Sequence, residues 1–362
     1  MKRGEKNKAT RLAGEGLRFD PCPHEAAELN YILGMLAFGE YRFEDALPYA
    51  RQALCFARED KDYYTICKCA LFVGQITARL NRYRDARRAW KEALIEAKKN
   101  DNLRVQGIIH FNVSILEHKR GKYEYALKLL EKCEKCADTV GDFRMQARCY
   151  GRMVSAYLDL DQINKAHESG EKMEKIAERM EIPRLKANTY FHKGYLYMKL
   201  ERYENAVPFF EKSAAIYEDL GDVNSHITMV INVASAYMGA GNLDKSESLL
   251  RKAERLSKET SSIKVKVRLL LLKAELSASH RNVSQTHQYY EKALTLAEKT
   301  QSDEHFVSFH KNLKITIERK LRFNLPGLAD LLKRARRSYK TFGLYAQDRE
   351  AKEWLERMKP EP

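Results

Sequence analysis

Residues 187–222 read ANTYFHKGYLYMKLERYENAVPFFEKSAAIYEDLGD, and this stretch decides the fold. Apolar and small side chains recur at helical spacing on both sides of Glu201-Arg202, which we interpret as a tight turn. Gly221 suits the left-handed position after a helix, and Asp222 can cap the N-terminus of the next one. The stretch therefore predicts a helical hairpin that is followed directly by another helix.

The same pattern returns at a fixed interval along the chain, with a 40-residue period. A small residue keeps this spacing without a slip, at Ala46, Ala86, Ala126, Ala166, Ala206, Ser246 and Thr286. An apolar residue keeps it at Phe43, Tyr83, Tyr123, Ile163, Tyr203, Leu243 and Val283. A short polar residue keeps it at Asp62, Asn102, Asp142, Asp222, Ser262 and Ser302, with Ile182 as the exception. The period indicates one hairpin copied about seven times, which is typical of a solenoid.

Four residues of the quoted stretch, Gly194, Tyr197, Ala206 and Phe210, resemble the Gly-x2-Tyr…Ala-x3-Phe core of the tetratricopeptide repeat. The resemblance extends over roughly residues 25–302. The long period is similar to that of LGN-like polarity scaffolds, kinesin light chains and bacterial Rap-type regulators. The resemblance implies an all-α fold, a right-handed α-solenoid (superhelix) of about seven to eight helix hairpins with a C-terminal capping helix.

The period also divides the chain. We expect a basic flexible leader at 1–23, seven 40-residue repeats at 24–302, a degenerate eighth repeat at 303–342, and a capping helix with a tail at 343–362. The eighth repeat keeps an apolar residue at Phe323 and then slips, because Pro326 takes a position that small residues hold elsewhere. A cap at Asn324 would place this proline in the first turn of a helix, where proline is tolerated.

Composition restricts the function class. Lys and Arg outnumber Asp and Glu by 65 to 50, which gives a net charge of +15 and favours anionic partners. Seven cysteines on a long chain predict a reducing compartment, and no apolar run is long enough to span a membrane. We therefore expect a cytoplasmic protein. A short resemblance of residues 158–172 to repeats of the outer-dynein-arm docking complex suggests cytoskeletal or ciliary association.

Sequence motifs for catalysis are absent. The chain has no glycine-rich nucleotide loop, P-loop, HExxH zinc motif or nucleophile elbow, so we expect a protein that is not an enzyme and has no cofactor. Cys133 and Cys136 form a CxxC pair, but no two further ligands follow at suitable spacing. We interpret these cysteines as core residues and predict no metal site.

The resemblance implies that one face of the first helix of each hairpin lines a concave groove. The polar and aromatic residues that it places there are Asn112, Arg148, Arg152, Asn188, His192, Tyr195 and Asn232. An asparagine amide can pair with a peptide backbone, and an arginine can pair with carboxylates. We therefore expect a protein or peptide ligand, acidic or extended, and a non-catalytic adaptor or scaffold function.

A second candidate site is a basic patch near the C-terminus, at Lys333, Arg334, Arg336, Arg337 and Lys340. These residues would attract a phosphate polymer or an acidic protein tail, with binding that weakens as salt rises. An RNA-binding or anionic-surface-binding solenoid is therefore an open alternative, as is a peptide-sensing regulator of the Rap type. A solvated helix face would explain the same charges without any function.

Overall fold

Helices are the only regular secondary structure in the described part of the chain. The computed structural model describes residues 3–40, 42–80, 82–299, 303–317, 327–341 and 344–358, and these contain no strand. The predictions for Phe323, Asn324 and Pro326 lie outside these ranges. The helices are α1 (Arg3–Gly16), α2 (Pro23–Gly39), α3 (Phe43–Asp60), α4 (Tyr63–Arg79), α5 (Tyr83–Lys99), α6 (Leu103–Lys119), α7 (Tyr123–Thr139), α8 (Phe143–Asp159), α9 (Ile163–Met180), α10 (Pro183–Lys199), α11 (Tyr203–Asp219), α12 (Val223–Gly239), α13 (Leu243–Leu256), α14 (Ile263–Ser279), α15 (Val283–Glu298), α16 (Asp303–Ile315), α17 (Leu328–Thr341) and α18 (Tyr345–Arg357).

The chain divides into two compact units. Unit 1 is Met1–Ile176 and unit 2 is Ala177–Pro362, so the boundary lies inside α9. In each unit, successive helices pair as hairpins, and we call the first helix of a hairpin A and the second B. The A helices are α2, α4, α6, α8, α10, α12, α14 and α16. The fold is thus an all-α solenoid of hairpins.

The backbone repeats twice within each period of the sequence, because A and B helices start at equal intervals from Pro23 to Asp303. The turns repeat as well, with a positive φ at Lys61, Asp101, Gly121, Gly141, Asp161, Glu181, Glu201, Gly221, Gly241 and Arg281. The residue after each of several such turns donates its N–H five positions back, as in Asp222 to the Tyr217 carbonyl at 3.0 Å. This bond is the helix-ending arrangement that a left-handed residue permits.

Four of the polar residues of the sequence period cap A helices, and Ser302 lies outside the described residues. The side chains of Asp62, Asn102, Asp142 and Asp222 each accept backbone N–H bonds from the first turn. Ser262 precedes α14 without such a bond. At the exception, Ile182, Pro183 opens the helix instead, where it removes no hydrogen bond.

The small residues of the period lie where the helices approach one another. All seven, from Ala46 to Thr286, have 0% of their surface exposed. Helices also approach closely at Gly194, where an added Cβ would lie 2.7 Å from the Phe210 ring. The sequence-based assignment of these positions to the core is therefore confirmed.

The N-terminal leader differs from the expectation of flexibility. Arg3–Gly16 form helix α1, and Ala13 is only 4% exposed. Gly16 faces Leu29 of α2. Basic residues obscured this helix in the sequence, but small residues on one face let it pack against α2.

Unit 2 ends in a larger core than its repeats have. Residues of α14 to α18 share one apolar cluster, which includes Tyr290, Phe309, Leu332 and Trp354. Helix α18 contributes Ala351 and Trp354 to this cluster, and they are 0% and 2% exposed.

The left-handed turn residues lead to a prediction about the free energy of unfolding. Replacing Glu201, whose φ is +57°, with glycine should raise the free energy of unfolding by about 0.5–1 kcal/mol, because side chains disfavour this conformation. Replacing Gly221, at φ +62°, with alanine should lower it by a similar amount. Urea unfolding followed by circular dichroism measures both shifts. Equal signs for the two substitutions would contradict the prediction.

Candidate functional site

The predicted groove residues all lie on A helices, but they divide between the units. Asn112 lies on α6, and Arg148 and Arg152 lie on α8, all in unit 1. Asn188, His192 and Tyr195 lie on α10, and Asn232 lies on α12, all in unit 2. Each unit therefore carries its own set, and the two sets differ in what their side chains already contact.

In unit 1, an arginine lies over an aromatic ring, and the residue that follows the ring in the chain has a side-chain amide without a hydrogen-bond partner among the described residues. The Arg148 guanidinium lies 4.3 Å from the centroid of the Phe111 ring. Arg148 is exposed, so its N–H groups face solvent while the ring holds its position. The neighbouring Asn112 is half-buried, and its Nδ2 is buried without a hydrogen-bond partner among the described residues. Arg152, one turn further along α8, is exposed as well.

In unit 2, the equivalent asparagine and arginine are hydrogen-bonded to each other. Asn232 and Arg268 stand three repeats after Asn112 and Arg148. Here the Arg268 guanidinium donates to Asn232 Oδ1, and Asn232 Nδ2 lies 3.8 Å from Met229 Sδ. Asn232 is only 5% exposed. The amide is therefore engaged inside the unit.

The remaining groove side chains of the second unit also have contacts. Tyr217 donates its hydroxyl hydrogen to Asn188 Oδ1 at 2.6 Å. The Phe191 ring contacts the His192 ring at 5.0 Å between centroids, and it stacks on Tyr195 at 6.2 Å. These contacts fix the side chains of α10 against one another.

At the N-terminal end of unit 1, the A-helix surface is more apolar. Ile32 and Met35 on α2 are 40% and 44% exposed. Beside them, Lys68 donates to both oxygens of Glu28 at 2.8 Å and lies 4.2 Å over the Tyr31 ring. Burial raises the pKa of Tyr31, so this hydroxyl stays neutral.

The C-terminal basic patch is largely paired within unit 2. Arg334 donates to Glu291 at 2.7 Å and to Glu298 at 2.8 Å. Arg336 donates to Asp348 at 2.7 Å. Exposed Lys333 also lies 3.2 Å from Asp330.

These pairs correct the expectation of five available charges. All three acids that hold the two arginines lie on α15 or α18, so counting charges only along 303–342 overlooked them. In the described chain, Arg337 and Lys340 are exposed and make no ion pair. The patch therefore keeps two free charges rather than five.

Four of the seven cysteines are buried, at Cys67, Cys69, Cys133 and Cys149, whereas Cys136 is half-buried and Cys22 and Cys55 are exposed. Cys133 and Cys149 are fully buried in one cluster, and a hydrogen bond with Cys133 together with burial raises the pKa of Cys149. Burial also raises the pKa of Cys67 to about 11 and of Cys69 to about 12, so neither is a ready thiolate.

One further group of possible metal ligands was missed in the sequence. Atoms of His24, Asp60 and Asp62 lie within 4.8 Å of one another. The carboxylate of Asp62 already accepts the Tyr64 and Thr65 N–H groups as a helix cap, however. This use explains the position of Asp62 without a metal.

Among the described residues, no helix is long and apolar enough to cross a membrane.

Part of unit 2 is similar to a known repeat family. Residues 185–259 match the tetratricopeptide repeat family model. The 43 kDa receptor-associated protein of the synapse from Tetronarce californica is 24% identical over 261 residues, which is 70% of this chain and 61% of that protein. The chain therefore spans less than two thirds of that curated relative.

Solved structures with the same fold include a Rap protein complexed with Competence and Sporulation Factor, with a TM-score of 0.58 at 12% identity. That match covers 92% of this chain and 97% of the Rap chain. A tetratricopeptide repeat protein from Parabacteroides merdae has a TM-score of 0.56 at 13% identity, covering 81% and 99% of the two chains. The chain is thus an all-α solenoid built from tetratricopeptide-type repeats.

Proposed function

We propose that this protein is a non-catalytic protein-interaction adaptor, and that the A-helix surface of unit 1 around Phe111, Asn112 and Arg148 binds an extended, acidic peptide segment of a partner. The observation that carries this proposal is Asn112 Nδ2, which is buried without a hydrogen-bond partner among the described residues. The preceding residue, Phe111, holds Arg148, which pairs with no acid there. A buried polar group left without a bond is costly, and a ligand would satisfy it.

The three side chains suit three parts of such a ligand. Rotation of the half-buried Asn112 side chain would bring Nδ2, which has no exposed surface as it stands, to a backbone carbonyl of the peptide. Arg148 would pair with a carboxylate, and its stacking on Phe111 reduces the entropy lost on binding. Ile108 and Ile115, which pack partly buried against the core containing Phe111, would contact apolar side chains of the peptide.

Unit 1 suits this role better than unit 2 because of one residue. At the place of Phe111, unit 2 has Ile231, which offers no ring for a guanidinium. Arg268 turns to Asn232 instead, and both groups satisfy each other. A ligand there would first have to break an internal bond.

The relatives support an interaction function. The synaptic relative is described as receptor-associated, and the Rap neighbour is solved with a bound factor. A cytoplasmic scaffold, in a cytoskeletal or ciliary assembly, is the setting that the sequence resemblances favour. RNA binding through the C-terminal patch is less favoured, because Arg334 and Arg336 are held by acids of the same unit.

Single substitutions test the proposal. Peptides selected from a random display library on the wild-type protein should be rich in Asp and Glu. Asn112→Ala and Arg148→Ala should each weaken their binding about 10- to 100-fold, as expected for loss of hydrogen bonds to charged or buried groups. Fluorescence anisotropy with the synthesised peptides measures the change.

Asn232→Ala is the matched control, since it removes the same amide from the equivalent position. It should change the affinity less than about twofold, because the residue is not in the proposed site. The proposal is wrong if the selected peptides bind Arg148→Ala as tightly as the wild type, or if Asn232→Ala has the larger effect.

A further inference from the structure

The B helices present an outward row of five residues, which the repeat makes comparable from helix to helix. On α5 this row is Arg84, Arg88, Lys91, Ile95 and Lys98, and all five are exposed. The spacing places them along one side of the helix over roughly 20 Å. We call these five residues the outer row of α5.

No other B helix up to α15 has such a row. The corresponding residues are Glu44, Pro48, Arg51, Cys55 and Arg58 on α3; Glu124, Lys128, Glu131, Lys135 and Asp138 on α7; Asn164, Glu168, Glu171, Lys175 and Glu178 on α9; Glu204, Pro208, Glu211, Ala215 and Glu218 on α11; Asp244, Ser248, Arg251, Arg255 and Lys258 beginning on α13; and Ser284, Gln288, Glu291, Thr295 and Glu298 on α15. Each of these rows contains at least one acid. The backbone position alone therefore does not explain four cations on α5.

The acids of α5 are used elsewhere. Asp85 lies 4.0 Å from Arg51, and Glu92 lies 2.7 Å from Arg58, so both face α3. The third acid, Glu96, accepts from Lys99 at 2.8 Å. All three acids of the helix are therefore paired with cations that lie outside the outer row.

The four cations of the outer row remain uncompensated. Arg84, Arg88, Lys91 and Lys98 make no ion pair within the ranges that the structure describes. Burial lowers the pKa of His110 to about 4, and the positive charges of Lys132 and Lys98 add to this effect. His110 is therefore neutral near pH 7 and adds no charge to this surface.

An aliphatic side chain interrupts the positive charge. Ile95 is 46% exposed between Lys91 and Lys98. Solvent exposure of a single isoleucine is ordinary, but its place within a line of unpaired cations gives the row both an electrostatic and an apolar contact.

We propose that the outer row of α5 is a second interaction surface, distinct from the A-helix site, and that it binds an acidic helical segment of a partner protein. Glu or Asp residues at helical spacing would face Arg84, Arg88, Lys91 and Lys98, and an apolar residue would contact Ile95. Arginine forks hold carboxylates in a defined geometry, and complementary charge speeds and orients the encounter.

A protein helix fits the row better than nucleic acid or lipid does. Single-stranded nucleic acid needs aromatic side chains on which bases stack, and the outer row has none. A membrane-surface helix needs a broad apolar face, and here only Ile95 is apolar. A straight line of charges with one aliphatic contact matches the exposed face of another helix.

The test uses three probes on the full chain. They are a helical peptide of about five turns with a row of Glu and one Leu, a poly-uridine RNA of similar length, and phosphatidylcholine vesicles containing phosphatidylserine. Arg84→Glu/Arg88→Glu/Lys91→Glu should weaken peptide binding at least about tenfold, since like charges then face each other. Ile95→Ser should weaken binding of this peptide severalfold, but not binding of a peptide whose Leu is replaced with Ala.

The control changes the net charge equally at exposed cations of unit 2, as Lys252→Glu/Lys258→Glu/Lys340→Glu. It should weaken peptide binding by only about twofold, through the general field of the protein. Equal losses in the two triple variants would show that only net charge matters and would overturn the proposal. So would tighter binding of the RNA or the vesicles than of the peptide, with loss in the α5 variant. Because Asn112→Ala leaves this surface untouched, failure here is distinguishable from failure of the A-helix site.

Discussion

Gly74→Ala is expected to lower the free energy of unfolding of unit 1 by about 2–4 kcal/mol, because the core has no room for one methyl group at this position. A Cβ on Gly74 would lie 2.2 Å from Trp90 Nε1 and 2.3 Å from its Cδ1. The indole cannot easily withdraw, since it is only 3% exposed and its N–H donates to the Leu71 carbonyl at 3.2 Å. Moving the ring would break that bond and open space in a packed core.

Gly39→Ala is the matched control on the preceding A helix, since no atom lies within 4 Å of a Cβ added there. It should leave stability unchanged or raise it by up to about 1 kcal/mol, because alanine favours helix over glycine. Combining Gly74→Ala with Trp90→Leu should cost less than the sum of the two single changes, since the smaller side chain makes room. Urea unfolding of the four variants measures this. Strict additivity, or equal effects of Gly39→Ala and Gly74→Ala, would contradict the steric explanation.

The packing of Gly74 against Trp90 belongs to the part of the structure that the sequence predicts well. Positions that control helix approach or cap a helix depend on backbone geometry, which every hairpin repeats. The seven small residues are fully buried, and Asp62, Asn102, Asp142 and Asp222 cap helices as expected. The period of the backbone is half that of the sequence pattern, because the turns and the first residues of A and B helices coincide while most of their packed side chains differ.

The candidate site was harder to predict, because it depends on which side chains satisfy one another. Asn112 and Asn232 look equivalent in the sequence, yet only Asn232 is bonded to an arginine. Arg148 lies over Phe111, which precedes Asn112, whereas Ile231 precedes Asn232 and offers no ring, and Arg268 is bonded to Asn232. Helix propensity and sequence periodicity cannot distinguish these two arrangements of the arginine, because their free energies differ by only about 1 kcal/mol.

The period could nevertheless have revealed the internal pairs. Residues about one repeat apart lie on neighbouring helices of the same class, so Arg268 can reach back to Asn232 and Arg334 can reach back to Glu291. Counting charges along the chain missed these partners. Counting them across the repeat would have placed the unpaired charge on α5 rather than on α17.

Trp354→Ala is expected to lower the free energy of unfolding of the C-terminal part of unit 2 by about 3–5 kcal/mol, the usual cost of truncating a buried tryptophan. The indole is 2% exposed and stacks on the His310 ring, with centroids 5.0 Å apart and planes at 11°. His310 also bonds through Nε2 to Glu350 of α18 at 2.8 Å. The substitution therefore weakens the contact that holds α18 on α16.

Tyr345→Ala is the matched control, because it removes an aromatic ring from the same helix where the ring is 70% exposed. It should change stability by less than about 0.5 kcal/mol. Thermal unfolding gives the total effect, and hydrogen exchange over 303–317 and 327–341 shows where protection is lost. Equal effects of the two substitutions would contradict the assignment of Trp354 as the anchor of α18.

The loss of α18 should also change the state of association. Leu331, Leu332 and Ala335 of α17 are fully buried and share a core with Ala351 and Trp354 of α18. A solenoid end that exposes such residues can pack against a second copy, which is why terminal repeats need a polar cover. Trp354→Ala should therefore form concentration-dependent oligomers in sedimentation experiments at protein concentrations where Tyr345→Ala sediments like the wild type. If the tryptophan variant is destabilised but sediments like the wild type, then α18 stabilises unit 2 without shielding an interface.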